Sequence, residues 1–127
     1  MGQYLIDNNV VSDYLMDVYA EKTMYFISDV INRIPNISVI TEIEALSWLA
    51  PDEIYETIIK EFIKNANILP LSKKVVAECI KIRRSKKIKT PDAIIAATAI
   101  VYDLTLITND NDFKNIRNLQ TLNPFDI

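Results

Sequence analysis

The chain has 127 residues, half of them hydrophobic, and carries 14 Lys and Arg against 17 Asp and Glu for a net charge of −3. That length suits a single domain, expected over residues 1–127, able to bury about two-thirds of the surface its unfolded form exposes. Histidine is absent and Gly2 is the only glycine. These absences exclude Ser-His-Asp and Cys-His catalysis, a two-histidine zinc helix and both glycine-rich phosphate cradles.

In chain order, the apolar run of QYLIDNN ends at Asp7 and reads as a buried strand with an acidic tip. Val10, Val11, Tyr14, Leu15 and Val18 follow at helical spacing, and a second helix is expected from about Thr23 to Arg33. NISVI, 36–40, is a second strand. Thr41 to Trp48 restarts a helix, and Ile54, Tyr55, Ile58, Ile59, Phe62 and Ile63 form one stripe on the next. ANILPL, 66–71, is a third strand. Ser72 caps a helix to about Arg84 with Val75, Val76, Cys79 and Ile80 inward. Cys79, the single cysteine, is core filler in this reading. Thr90 opens the TPDA helix to about Tyr102, LTLIT (104–108) is a fourth strand, NDNDF turns into a short helical segment, and LQTLN is a fifth strand.

Short apolar strands alternating with helices imply an α/β fold with a parallel sheet covered on both faces. No apolar run approaches the ~18 residues of a membrane span, and MGQYLIDNNVV lacks the charged lead and long apolar stretch of a signal peptide. A cytoplasmic protein without membrane contact is the expectation.

Open parallel sheets carry their functional groups beyond the carboxyl ends of the strands. Asp7, the segment Thr41–Glu44, Asp110 and Asp112 fall there, and right-handed crossovers bring the helix start at Asp92 to the same rim. Each acid has an innocent explanation. Thr41-x-x-Glu44 fits a capping box; Thr90-Pro91-Asp92 fits a helix start with an acid facing the positive dipole end; Asp7-Asn8 and NDND fit Asx turns. Their coincidence is what these explanations leave over. Carboxylates from four segments meeting on one rim repel one another unless protonation or a divalent cation neutralises them. Hard cations prefer such oxygen ligands, so Mg²⁺ or Mn²⁺ is the expected cofactor.

LIDNNVV, SVITEIEAL, TPDAIIAATA and LITNDNDF, in this order and spacing from about residue 4 to 122, resemble the PIN-domain family, particularly VapC-type toxins of toxin–antitoxin pairs. The resemblance implies a three-layer α/β/α sandwich with a four- to five-stranded, mostly parallel sheet, and an endoribonuclease activity dependent on Mg²⁺ or Mn²⁺. It places the family's acids on Asp7, Glu44, Asp92 and Asp110 as catalytic metal ligands, with Asp112 as a neighbouring auxiliary ligand and the closer of Asp110 and Asp112 left open. Asn9 and Thr108 match its supporting polar positions. Asn8 stands where relatives usually have Thr or Ser, and Ala45-Leu46-Ser47-Trp48 lacks a common glycine. An RNA substrate, a cognate antitoxin that inserts a basic side chain among the acids, and a homodimer are also implied; Trp48, Leu49 and Tyr55 are expected to be exposed for such contacts.

KIRRSKKIK, 81–89, holds six bases and no acid, leaving eight bases against seventeen acids elsewhere. Such a strip is either a solvated helix end that complements the macrodipole or, directly before TPDA, an RNA-phosphate grip through Arg83, Arg84, Lys86 and Lys87. Three other functions stay open: a DNA-directed nuclease of the same architecture, a phosphoacceptor domain, and a non-catalytic acidic binding module. The phosphoacceptor reading wants an adjacent acidic pair after the first strand and a lysine after the last, and neither is evident.

Overall fold

The structure is a computed structural model that describes residues 3–127. Met1 and Gly2, part of the expected 1–127 domain, lie outside the described residues. The chain runs β1 (Tyr4–Ile6), α1 (Asn8–Leu15), α2 (Glu21–Asn32), β2 (Asn36–Ser38), α3 (Val39–Ser47), α4 (Glu53–Asn65), β3 (Asn67–Leu69), α5 (Lys73–Ser85), α6 (Thr90–Val101), β4 (Thr105–Ile107) and β5 (Thr121–Leu122), with short 3-10 turns at Asn111–Phe113 and Pro124–Asp126. The strands form one sheet in the order β3-β2-β1-β4-β5, and every pairing is parallel. This is the α/β/α sandwich of the sequence-based expectation.

The three layers follow from the period of two along each strand. In β1, Leu5 packs into a cluster with Val75, Cys79 and Ile82 of α5 and the buried residues of α6, whereas Ile6 joins Val10, Ile27, Ala45, Ile59 and Ile63 from α1 to α4. Strand β4 repeats the division: its register sets Leu5 opposite Leu106 and Ile6 opposite Ile107, and each pair shares a cluster. All four side chains are fully buried. Helix α6 is apolar nearly all round because it is covered by both the sheet and α5; its buried Thr98 returns its hydroxyl to the Ile94 carbonyl at 2.7 Å.

Several boundaries differ from expectation. The second strand stops at Ser38, because the Ser38 hydroxyl accepts from the Thr41 N–H at 3.1 Å and starts α3 two residues earlier than its apolar run suggests. Thr41 is therefore inside the helix, and the capping box with Glu44 does not form. Thr90 likewise lies within α6 rather than capping it: the Ala93 N–H bonds the Lys89 carbonyl at 2.9 Å, and Pro91 falls in the first turn, where its missing N–H would have had no helical partner. Val18 lies beyond α1 and is exposed, as are Ile54 and Ile58 of α4 and Val76 and Ile80 of α5. Each of those helices presents a wider apolar face than the sheet covers. Leu49 is 93% exposed, but Trp48 packs against the α1–α4 cluster and is half-buried, as is Tyr55. Among the described residues, no helix is long and apolar enough to cross a membrane.

Candidate active site

The site begins where the two central strands end. The residue after β1 is Asp7 and the residue after β4 is Thr108, and their register continues the pairing of Ile6 with Ile107. The Asp7 N–H donates to the Ile107 carbonyl at 3.1 Å. The Asp7 carboxylate, only 5% exposed, caps α1 by accepting from the Asn8 N–H at 2.8 Å through one oxygen, and accepts from the Thr108 hydroxyl at 2.8 Å through the other. The Thr108 oxygen in turn accepts from the Asp110 N–H at 3.1 Å, and the Asp110 carboxylate accepts from the Asp112 N–H at 2.9 Å. A relay of four bonds thus fixes the rim from α1 to the first 3-10 turn. The supporting position expected at Thr108 coincides with its centre.

Asp92 enters from the first turn of α6. Its carboxylate lies with those of Asp110 and Asp112 so that one oxygen from each falls within 4.8 Å of the others. Ligands on opposite sides of an octahedral ion with 2.0–2.1 Å bonds are about 4.2 Å apart. Adjacent ligands are about 2.9 Å apart, so the three side chains are within reach of one hard divalent cation after closing by as much as about 2 Å, or with water between them. Asp110 and Asp112, between which the sequence does not choose, stand in this group on equal terms. Asp7 and Glu44 are set back from it.

The set-back acids are still felt electrostatically. Burial raises the Asp7 pKa, the Thr108 and Asn8 hydrogen bonds pull it down, and the charges of Asp110 and Asp92 push it further up. Glu44, on an exposed turn of α3, is raised first by desolvation and then by Asp7 and Asp92. Asp92 is raised by desolvation, then by Asp110 and Asp112, with Lys89 opposing. The ion pairs among the described residues, Arg33–Asp29, Lys60–Glu56 and Lys81–Glu78, all lie elsewhere. None of them neutralises the rim.

The other expected residues are more dispersed. Asn9 is exposed in the first turn of α1, and its side chain makes no hydrogen bond among the described residues. Arg83, Lys87 and Lys89 line a groove of about 410 Å³ together with Asp112. Lys86 faces a different groove and Arg84 lines neither. Lys89 carries no separate role in the sequence reading; its signal is its place at the end of the basic strip, three residues before Asp92. A groove of about 540 Å³ at the opposite end of the sheet contains a single acid, Asp29, which pairs with Arg33 at 3.2 Å. It offers no comparable cluster.

A search of curated proteins finds no match to the chain. Solved structures do match along nearly its whole length. A toxin–antitoxin complex from Klebsiella pneumoniae shares 27% identity at a TM-score of 0.76, covering 98% of this chain and 99% of that one. FitAcB from Neisseria gonorrhoeae is 24% identical at a TM-score of 0.76, covering 98% and 99%. VapBC2 from Rickettsia felis, solved with a DNA fragment from its promoter, is 22% identical at 0.76, covering 94% and 97%. The PIN domain model matches residues 4–119, a span that holds Asp7, Glu44, Asp92, Asp110 and Asp112. With the sheet order, the acidic rim and that match agreeing, the chain belongs to the PIN-domain family, and its fold is shared by VapBC toxin–antitoxin proteins.

Proposed function

We propose that this chain is a Mg²⁺- or Mn²⁺-dependent endoribonuclease acting as the toxin of a cytoplasmic toxin–antitoxin pair. Membership in the PIN family carries the coarser part, since PIN domains are nucleases that hydrolyse phosphodiester bonds. The observation supporting the metal is the convergence of carboxylates from the ends of β1 and β4, from α3 and from α6, with no ion pair to neutralise them among the described residues.

In this reading Asp92, Asp110 and Asp112 would hold the ion, and Asp7 and Glu44 would complete its surroundings, each directly or through water. Once bound, Mg²⁺ or Mn²⁺ lowers the pKa of a water and offsets charge that develops on the phosphoryl oxygens. The protein's own part is positional. Thr108 fixes both Asp7 and the backbone of Asp110, so the rim is set before substrate arrives. Arg83, Arg84, Lys86 and Lys87 grip flanking phosphates, while the bare acidic rim repels RNA until its charge is neutralised.

An antitoxin partner is supported by the Klebsiella pneumoniae neighbour being a toxin–antitoxin complex. It would insert a basic side chain among the acids, and the chain would form a homodimer. The decisive experiment incubates the protein with matched RNA and DNA oligonucleotides in Mn²⁺ or EDTA. RNA cut only with Mn²⁺ is the expected result. DNA cut in preference makes this a DNA nuclease of the same fold, and no cleavage with no Mn²⁺-induced thermal stabilisation makes it a non-catalytic module.

A further inference from the structure

The basic strip does not form one patch. The last turn of α5 divides it. On one side Arg83, Lys87 and Lys89 line one groove together with Asp112. On the other, Lys81, Ser85 and Lys86 face Arg117 and Asn118 across a larger groove of about 580 Å³. Consecutive residues, Lys86 and Lys87, point one into each, so the two grooves meet at the C-terminal end of the helix.

The larger groove is built from two distant parts of the chain. Dipole complementation accounts for Arg83 and Arg84, which sit in the last turn of α5. It does not account for Arg117, which comes from the segment between the 3-10 turn and β5. Asn115 and Asn118 bracket that residue in left-handed conformations, with φ of 62° and 70°, which asparagine tolerates better than most residues. Between them Ile116 is buried at 8% exposure and anchors the turn, leaving Arg117 turned outward. Arg117 has no hydrogen bond or ion pair among the described residues. Glu78 also faces the groove, but it is engaged by Lys81 at 3.9 Å, and the balance of Lys81, Lys86 and Arg117 against one acid remains positive. Arg83 stiffens the junction from the other side, donating from Nε to the Ile88 carbonyl at 3.2 Å and so tying the α5–α6 connection to its helix.

We infer that the Lys81–Lys86–Arg117 groove is a second phosphate-binding subsite, which takes a backbone phosphodiester of single-stranded RNA several nucleotides from the one at the acids. The strand passes from the acidic rim along Arg83, Lys87 and Lys89, bends round the end of α5 and lodges its next phosphates against Arg117. The identity of the ligand rests on the RNA-cleaving function proposed above. The groove itself sets a substrate-length requirement that the acidic centre alone does not impose.

The test uses the full chain and the exposed variant Arg117→Gln, with Lys81→Gln as a second lesion in the groove and Lys64→Gln, on the exposed last turn of α4, as a surface control. Binding of a fluorescent twelve-nucleotide RNA is measured in EDTA over a NaCl series, so that the acid rim contributes equally to every protein. Arg117→Gln and Lys81→Gln are expected to weaken binding several-fold and to flatten the log–log salt slope by about 0.7 for each phosphate no longer neutralised, with Lys64→Gln at wild-type values. With Mn²⁺, Arg117→Gln raises KM for the long substrate at unchanged kcat and leaves a trinucleotide unaffected. An affinity and slope for Arg117→Gln equal to wild type overturn the subsite. Failure of wild-type protein to cut RNA in Mn²⁺ is a separate result, and it overturns the nuclease reading on which the ligand assignment depends.

Discussion

Replacing Thr108 with valine removes one oxygen and leaves the shape nearly intact, so it isolates the centre of the rim's relay. Two bonds disappear: the 2.8 Å donation to Asp7 and the 3.1 Å acceptance from the Asp110 N–H. A hydrogen bond to a charged group contributes about 1.5–3 kcal/mol, and the Asp7 oxygen left behind is buried without another donor. Asp110 is half-buried, so water replaces most of what its N–H loses. The expected loss in metal-free protein at pH 7.5 is therefore about 2–3 kcal/mol. At pH 4.5 a larger share of the raised Asp7 carboxyl is protonated, the same bond becomes a neutral one in that share, and the loss falls toward about 1 kcal/mol. Urea unfolding of both proteins in EDTA at the two pH values measures the difference. A cost that does not change with pH, or one below about 0.5 kcal/mol at pH 7.5, refutes the claim that Thr108 acts through an ionised Asp7.

Three further outcomes are expected. Asp7, Glu44 and Asp92 all have folded-state pKa values raised above their ordinary ones, so the stability they confer is present at low pH and lost as pH rises through those values. The metal-free melting temperature should therefore fall between pH 4.5 and pH 7.5, and Mn²⁺ should restore it at pH 7.5; an equal melting temperature at both pH values without metal contradicts the crowding of charge. Asp92→Asn should reduce RNA cleavage more than about 100-fold, beyond the about 10- to 100-fold cost of removing a supporting group, while raising the metal-free melting temperature; full activity in the purified variant removes Asp92 from the site. Ser38→Ala deletes the cap on the Thr41 N–H and should cost about 1 kcal/mol in chemical denaturation, whereas Thr41→Val, if Thr41 were the cap, would be the costlier change.

The order of strands and helices can be read from the sequence because each element carries its own period, and because apolar strands too short to alternate imply cover on both faces. The rim can be read too, since strand ends are fixed once the strands are. What stays hidden depends on competition between neighbours. Ser38 and Thr41 are both good caps, and only the pairing of β2 with β3 through Ser38 decides that the earlier one wins. Periodicity identifies the apolar faces of α4 and α5 but not how much of each the sheet can cover, so Ile54 and Ile80 remain in water. Spacing does not choose between Asp110 and Asp112 because it cannot show that a 3-10 turn folds Asp112 back beside Asp92 and Asp110. The halving of the basic strip depends on the position of Arg117, about thirty residues downstream.

The bond from Thr108 to Asp7 joins residues 101 positions apart, and β1 at the middle of the sheet owes one of its two neighbours to β4. In a chain still being synthesised β1 can pair with β2, but until β4 emerges Asp7 lacks both the Ile107 carbonyl that its N–H meets and the hydroxyl that holds its carboxylate. The pocket is thus among the last features to mature, and a truncated product ending before Thr105 would lack the Asp7–Thr108 bond and the acids of the first 3-10 turn.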